Sequence, residues 1–333
     1  MSTKWDRNKA LDEIQSLAHA FQKSRVLFTA LELELFKHLS LETPKNAKQI
    51  ADELNADERA LTRLLDALAA LKLIQKKVEG YTNNPRYHSL LVAGEPDFVG
   101  DLLHISHLWE PWSRLTEIVK NGKPDVLETI NEKDDVWIRD FTNSTLWKSK
   151  IHAEPIVNLI DLRRVKKVLD LACGAGHYTV EFLRQNPNLQ PVVFDYPRVI
   201  NLTHEHIREA GMEEKVEFLS GDVMTDDIGS GYDLVFISNL IHSYSIWDNV
   251  RILQRVFDAL NRGGWVVINE VIIDDARTSP THSALFSLNM LLNTASGDCY
   301  TETDIWIMLR ESWFSSIKSI KTDFETTLMM GRK

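Results

Sequence analysis

The stretch KVLDLACGAGHYTVE, from Lys167 to Glu181, decides the fold of the chain. Its apolar run Val168–Ala172 predicts a short buried strand, and the amphipathic stretch His177–Gln185 predicts a helix. The sequence Cys173-Gly174-Ala175-Gly176 joins the two. A strand, a glycine turn and a helix in this order are typical of a site that holds a nucleotide-like ligand.

The same alternation of strand and helix continues toward the end of the chain. Further strands are predicted at Val192–Tyr196, Val216–Asp222, Tyr232–Asn239 and Trp265–Val271, and helices at Val199–Ala210, Trp247–Asn261, Thr281–Asn293 and Glu302–Glu311. This alternation predicts a parallel sheet with helices on both faces. The tail IKSIKTDFETTLMMGRK predicts two strands that turn at Asp323. The expected fold class is therefore α/β, a Rossmann-like parallel sheet with a C-terminal antiparallel hairpin.

The segment before the sheet is predicted to be helical. Apolar residues recur at helical spacing over Leu11–Leu39, some of them on more than one side, which indicates a subunit interface. Asn46–Pro85 predicts two helices and a two-stranded ribbon around Glu79-Gly80, the order of a winged helix. The second helix, Asp57–Leu71, carries three acidic side chains against two arginines. It lacks a strong positive face for phosphates, so we expect a dimerising role rather than DNA binding.

Three regions are expected along the 333 residues. Residues 1–100 form an N-terminal all-α winged-helix dimerisation domain, 101–165 a helical connector that lines the substrate site, and 166–333 the catalytic domain. His104 and His107 lie one helical turn apart in the connector, but no further ligands identify a metal site, and none is predicted.

The composition of the chain indicates which classes of binding partner to expect. The net charge of −10 disfavours nucleic acid and favours a small organic substrate. The sequence has no apolar run of about 18 residues, so no membrane-spanning segment is expected. The two cysteines, Cys173 and Cys299, and the charged first residues predict a reducing, cytoplasmic location.

The glycine loop differs from the dinucleotide fingerprint. Its glycines alone leave a dinucleotide, a flavin or a methyl donor open, but Thr179 stands where the fingerprint has its third glycine. A carboxylate at Asp170, before the loop, would repel a pyrophosphate and favour an α-ammonium group. Asp195 ends the second strand, where an acid accepts hydrogen bonds from ribose hydroxyls. Asp222 ends the third, where a carboxylate suits the adenine amino group. Together these acids favour S-adenosylmethionine.

Five motifs resemble, in order and spacing, those of class I S-adenosylmethionine-dependent methyltransferases. They are more closely similar to the small-molecule O-methyltransferases of the acetylserotonin and caffeic acid type, particularly the bacterial members. The motifs are VLDLACGAG, VVFDYPRV, FLSGDVMTD, YDLVFISNLIHSYS and LNRGGWVVINEVIIDD. The resemblance covers nearly the whole chain, because that family also carries an N-terminal winged-helix dimerisation domain. It implies a domain-exchanged homodimer in which each N-terminal region helps to close the partner's site.

The motifs and the resemblance together name the candidate site residues. The catalytic base is expected at His242, in LIHSYS after the fourth strand. Substrate contacts are expected at Met290 and Asn293, on the predicted helix Thr281–Asn293, and at Tyr244. The expected cofactor contacts are Asp170, Gly174, Gly176, Asp195, Gly221, Asp222, Val223 and Asn239.

Two departures from the family pattern surround His242. Ser243 follows it where the family commonly has Asp, and Cys299 stands in S-G-D-C-Y-T where plant members have Glu. Asp298, one residue away, is the candidate to replace the acids that would orient the histidine. Without a replacement His242 would be a poorer base, suited to an acidic phenol, an N–H or a carbon acceptor.

The expected function is methyl transfer to a hydroxyl of a small, aromatic molecule, with His242 as general base. Two alternatives keep the fold and the cofactor. In one the acceptor is nitrogen or carbon, or the bound cofactor serves a different reaction such as hydroxylation. In the other the chain senses the cofactor without catalysis.

Overall fold

The computed structural model describes residues 7–124 and 132–333. The chain forms two compact units, Met1–Ser106 and His107–Lys333. Among the described residues, no helix is both long enough and apolar enough to cross a membrane.

The N-terminal unit consists of helices and one small ribbon. The helices are α1 (Arg7–Glu32), α2 (Ala47–Leu54), α3 (Glu58–Ala70) and α4 (His88–Leu91), and the antiparallel ribbon is β1 (Ile74–Lys77) with β2 (Gly80–Asn83). Helix α5 (Asp101–His107) ends the unit, with its last residue across the boundary. Asp57 caps α3, since its Oδ1 accepts a hydrogen bond from the Ala60 N–H at 2.8 Å. Asn55, with φ 50°, ends α2 in the left-handed conformation. The predicted order of two helices and a ribbon is confirmed.

The C-terminal unit contains the predicted sheet. Its helices are α6 (Trp109–Ser113), α7 (Leu115–Asn121), α8 (Asp135–Val157), α9 (His177–Gln185), α10 (Pro197–Glu209), α11 (Ile246–Ala259), α12 (Thr281–Asn293) and α13 (Glu302–Glu311). Its strands are β3 (Lys167–Leu171), β4 (Gln190–Asp195), β5 (Glu217–Ser220), β6 (Tyr232–Ser238), β7 (Leu260–Val271), β8 (Ser315–Lys321) and β9 (Thr326–Arg332). The strand order is β5-β4-β3-β6-β7-β9-β8, and only the pairs made by β9 are antiparallel. The predicted Rossmann-like sheet with a C-terminal antiparallel hairpin is confirmed.

The third predicted strand is shorter than expected. The sequence predicts Val216–Asp222, whereas β5 ends at Ser220. The Gly221 N–H still donates to the Asp195 carbonyl of β4 at 3.1 Å, but the next N–H, that of Asp222, donates to a side chain, Asp226 Oδ2, at 2.8 Å. The chain therefore leaves the sheet two residues early.

The sheet is buried on both faces, and its strand order places the site. Alternate residues face opposite sides, so Leu169 and Val235 join one hydrophobic cluster while Val168 and Phe236 join the other. Strand β3 lies between β4 and β6, where the chain reverses its direction across the sheet. Ligands in open α/β folds bind at the carboxyl ends of the strands at such a switch point.

Candidate active site

The loop Cys173–Gly176 follows β3 in a conformation that requires glycine. Gly174 and Gly176 have φ values of 52° and 76°. A Cβ placed on Gly176 would lie 2.9 Å from Thr203 Cγ2 of α10. The left-handed backbone and the close approach of α10 both exclude a larger residue there.

Asp170 is buried in β3 and bound to the helix that follows the loop. Its Oδ2 accepts a hydrogen bond from Thr179 Oγ1 of α9 at 2.7 Å. Burial raises the pKa of Asp170 to about 7, against the lowering effect of that hydrogen bond. Thr179 therefore links α9 to β3 at the position where the dinucleotide fingerprint has a glycine.

Asp195 ends β4 directly beside the loop. Its Oδ2 accepts a hydrogen bond from the Gly174 N–H at 2.9 Å, and its Oδ1 accepts one from the Tyr196 N–H at 2.8 Å. Burial raises the pKa of Asp195 to about 6, although both hydrogen bonds lower it. The structure thus brings Asp195 and Gly174 into direct contact.

The remaining cofactor candidates lie after β5 and β6. A Cβ placed on Gly221 would lie 2.7 Å from the Asp226 side chain, so this turn also requires glycine. Asp222 lies next along the chain, and Val223 is buried in the hydrophobic core. Asn239 is exposed after β6, with φ 54°.

His242 is paired with an acid, Glu270, that was not among the residues expected from the sequence. It lies in the 3₁₀ turn Ile241–Ser243 after β6, and its Nδ1 is 2.9 Å from Glu270 Oε1 of β7. The Glu270 side chain is fully buried, and that of His242 is 13% exposed. A carboxylate oxygen only accepts, so Nδ1 carries the hydrogen and Nε2 is left with its lone pair.

A backbone N–H also holds the Glu270 carboxylate in place. Its Oε1 also accepts a hydrogen bond from the Val271 N–H at 2.9 Å. Its Oε2 is buried and has no hydrogen-bond partner among the described residues. A buried oxygen without a partner is costly, and such groups are often functional. One signal in the sequence could have found it, namely a single acid in the apolar strand WVVINEV.

The expectation that Asp298 orients the His242 ring is wrong. The Asp298 carboxylate pairs with Arg277 and accepts a hydrogen bond from Ser287 Oγ at 2.5 Å. It reaches His242 only through its backbone N–H, which donates to the His242 carbonyl at 3.0 Å. A Cβ on Gly297 would overlap that carbonyl, so this segment lies against the His242 backbone.

Helix α12 places aromatic and polar side chains close to His242. The Phe286 ring lies edge-on to His242, with the ring centroids 4.9 Å apart at 82°. One turn later, Asn289 Oδ1 accepts hydrogen bonds from Trp112 Nε1 at 3.0 Å and from Asn293 Nδ2 at 3.1 Å. Asn293 is thus bound within its own helix, and the link to Trp112 was not foreseen.

The other two substrate candidates are Met290 and Tyr244. Met290 is buried on α12. Burial raises the pKa of Tyr244, and the neighbouring Tyr196 side chain raises it further. Tyr196 directly follows Asp195, so the Tyr244 hydroxyl lies near the carboxyl end of β4.

Comparisons with known proteins identify the family of the chain. Residues 112–315 match the O-methyltransferase domain, and residues 15–92 match the O-methyltransferase dimerisation domain. The chain is 31% identical over 319 residues to 3-hydroxy-5-methyl-1-naphthoate 3-O-methyltransferase of Streptomyces sahachiroi, covering 92% of this chain and 90% of that protein. It is 28% identical to the N,N-dimethyltransferase OxyT of Streptomyces rimosus, covering 82% and 81%.

A solved structure shows the same fold. The crystal structure of human N-acetylserotonin methyltransferase in complex with S-adenosylmethionine matches with a TM-score of 0.84 at 24% identity, covering 100% of this chain and 99% of that one. The domain match spans more than half of the chain. The chain therefore belongs to the O-methyltransferase family and is an S-adenosylmethionine-dependent O-methyltransferase.

Proposed function

We propose that this enzyme methylates a hydroxyl group of a small aromatic molecule, with His242 as general base and Glu270 as its partner. The observation that carries the proposal is the 2.9 Å hydrogen bond between His242 Nδ1 and Glu270 Oε1. The relative from Streptomyces sahachiroi, named for a naphthoate 3-hydroxyl, supports an aromatic acceptor.

The acids around the glycine loop fit the cofactor. In the proposed arrangement Asp170 attracts the ammonium group, Asp195 accepts hydrogen bonds from the ribose hydroxyls, and Asp222 accepts one from the adenine amine. When bound, S-adenosylmethionine supplies a methyl group already activated by its sulfonium. The other proposed contacts are Gly174, Gly176, Gly221, Val223 and Asn239.

The chain has two tasks in the reaction. It holds the acceptor oxygen in line with the methyl group, and such positioning contributes up to roughly 7–11 kcal/mol. His242 Nε2 then accepts the hydroxyl proton, which typically adds about 10²–10⁴ to the rate. The resulting imidazolium still donates its Nδ1–H to Glu270 Oε1, and the negative carboxylate stabilises the new positive charge on the ring. The Phe286 ring packs edge-on against the imidazole, whose side chain is 13% exposed.

Helix α12 is the proposed wall of the acceptor site. Met290 and Asn293 lie on this helix, which already touches His242 through Phe286. For Tyr244, the proximity of its side chain to Tyr196, which directly follows Asp195, supports a contact at the junction of the acceptor and the cofactor.

We further propose that the enzyme works as a homodimer through its N-terminal unit. The match to the dimerisation domain supports this. So does the first half of α1, where large apolar side chains are between 49% and 78% exposed in the single chain: Leu11, Ile14, Leu17 and Phe21. Contiguous exposed apolar surface is typical of protein interfaces.

A second candidate function is methyl transfer to nitrogen. The relative named as an N,N-dimethyltransferase favours it. An amine acceptor also loses a proton during transfer, so the same His242–Glu270 pair would serve.

A paired acceptor panel tests these proposals. The enzyme is incubated with S-adenosylmethionine and with phenols and naphthols, each matched to the amine of the same ring, and products are identified by mass spectrometry. We expect methyl ethers from the hydroxyl members. N-methyl products alone would support the second candidate. No methylated product despite tight cofactor binding would contradict both and favour a cofactor sensor.

Cofactor affinity is expected to fall as the pH is lowered. The pKa values of Asp170 and Asp195 are raised to about 7 and about 6. Above these values both groups are carboxylates that attract the cofactor. Below them each is protonated, and each costs up to about tenfold in affinity per pH unit. Calorimetric titration with S-adenosylhomocysteine between pH 8 and pH 5.5 measures the effect.

The control for this titration is Asp195→Asn. This variant should bind more weakly at pH 8 and lose the part of the decline that begins near pH 6. A dissociation constant that stays constant from pH 8 to pH 5.5 in the unmodified enzyme would count against the proposed roles of both acids.

A further inference from the structure

We propose that His206 of α10 is a positioning residue for cofactor binding. Its hydrogen bond to the carbonyl of Ala175 keeps the glycine loop in the conformation that binds the cofactor. This inference rests on the proposed assignment of the loop Cys173–Gly176 to the cofactor. It concerns a side chain outside the set of expected contacts.

Two side chains of α10 hold two consecutive carbonyls of the loop. His206 Nδ1 is 2.7 Å from the Ala175 carbonyl oxygen. A carbonyl only accepts, so Nδ1 is the donor. One turn earlier, Thr203 Oγ1 donates to the Gly174 carbonyl. A trans peptide group directs its N–H opposite to its C=O, so holding the Gly174 carbonyl turns the Ala175 N–H away from α10.

The loop is also packed closely against the same face of α10. Thr203, His206 and Ile207 lie at i, i+3 and i+4, on one side of the helix. A Cβ on Gly176 would lie 2.9 Å from Thr203 Cγ2 and 3.0 Å from Ile207 Cδ1. From the other side, Asp195 Oδ2 accepts the Gly174 N–H at 2.9 Å. The loop is thus fixed between Asp195 and α10.

A second imidazole fixes the orientation of the His206 ring. His177, the first residue of α9, stacks on His206 with the ring centroids 4.0 Å apart and the planes at 5°. Burial lowers the pKa of both histidines, that of His177 to about 3, and the cations Arg184 and Lys150 also disfavour protonation. On His206 the hydrogen bond to the Ala175 carbonyl and, to a smaller extent, Glu209 act in the opposite direction and raise the pKa. Two neutral stacked rings therefore join α9, the loop and α10.

The test is the affinity of the 333-residue protein for S-adenosylhomocysteine at pH 8, measured by calorimetry. His206→Ala removes the donor and should weaken binding roughly five- to tenfold, the equivalent of one hydrogen bond. His206→Asn places an amide N–H near the position of Nδ1 and should restore most of that affinity. Thr203→Val removes the other donor with little change of shape and should weaken binding by a similar factor.

His204→Gln is the matched control on the same helix. His204 is 41% exposed and pairs with Glu213 at 3.1 Å, away from the loop, so its replacement should leave the affinity unchanged. Wild-type affinity in both His206→Ala and Thr203→Val, or an Asn variant as weak as the Ala variant, would overturn the inference. Failure of the unmodified protein to bind S-adenosylhomocysteine would instead contradict the proposed cofactor site itself.

Discussion

Replacing His242 with Gln is expected to lower kcat by about 10²–10⁴ and to leave the affinity for S-adenosylhomocysteine within about twofold. Glutamine is polar and close in size, so it can still bond to Glu270, but its amide does not accept a proton from a hydroxyl. The side chain that it replaces is 13% exposed and hydrogen-bonded at Nδ1 to a buried carboxylate. Steady-state rates with the best phenol of the panel, together with calorimetric cofactor binding, measure both quantities.

A second histidine–glutamate pair provides the control for this variant. His204 Nε2 lies 3.1 Å from Glu213 Oε1 on the surface, and His204→Gln should retain full turnover. A His242→Gln enzyme that keeps more than a tenth of the wild-type kcat with every hydroxyl acceptor would rule out the base role. A parallel loss of cofactor affinity would point to a distorted site instead.

The second large effect is expected from Glu270→Gln, which should lower kcat by about 10–10² with little change in KM. Gln keeps the size and an oxygen for the Nδ1–H of His242, but it loses the negative charge. A hydrogen bond to a charged group contributes about 1.5–3 kcal/mol, which corresponds to that range of rates. The loss should appear in kcat, because the charge on the imidazole develops only as the proton is taken.

Asp298→Asn is the matched comparison for Glu270→Gln. Both variants neutralise an acid near His242, but the Asp298 carboxylate is bound to Arg277 and Ser287 rather than to the ring. We expect a smaller loss from Asp298→Asn. A larger loss from Asp298→Asn than from Glu270→Gln would mean that Glu270 is not the group that supports the base.

The sheet was predictable because its signals are local. The apolar run before Gly174 and the alternation that follows it predict β3 and the later strands, and the turn at Asp323 predicts the final hairpin. The largest difference is at β7, which begins at Leu260 rather than at the predicted Trp265, because the preceding helix ends at Ala259. The error at the end of β5 has a local cause, because the Asp226 side chain accepts the backbone N–H of Asp222. Strand ends depend on such competing bonds, and a hydrophobic pattern does not report them.

The partner of His242 was missed because it comes from a neighbouring strand. Glu270 is 28 residues from His242 along the chain. The register that aligns Ser238 of β6 with Asn269 of β7 brings the turn after β6 beside Glu270. By resemblance, an acid is expected near Cys299, and residue spacing alone does not show the pairing of β6 with β7. The contact between Trp112 and Asn289, 177 residues apart, has no local signal either.

The most direct test of the account compares unmodified enzyme with His242→Gln across phenols of graded acidity, using kcat/KM for the methyl ether. A weakly acidic phenol needs its proton removed during transfer, whereas an acidic nitrophenol is already ionised at pH 8. We expect a ratio of wild-type to variant kcat/KM of about 10² or more for the weakly acidic phenols, falling toward one as the acidity of the phenol rises. A ratio that stays constant across the series would contradict His242 as the general base.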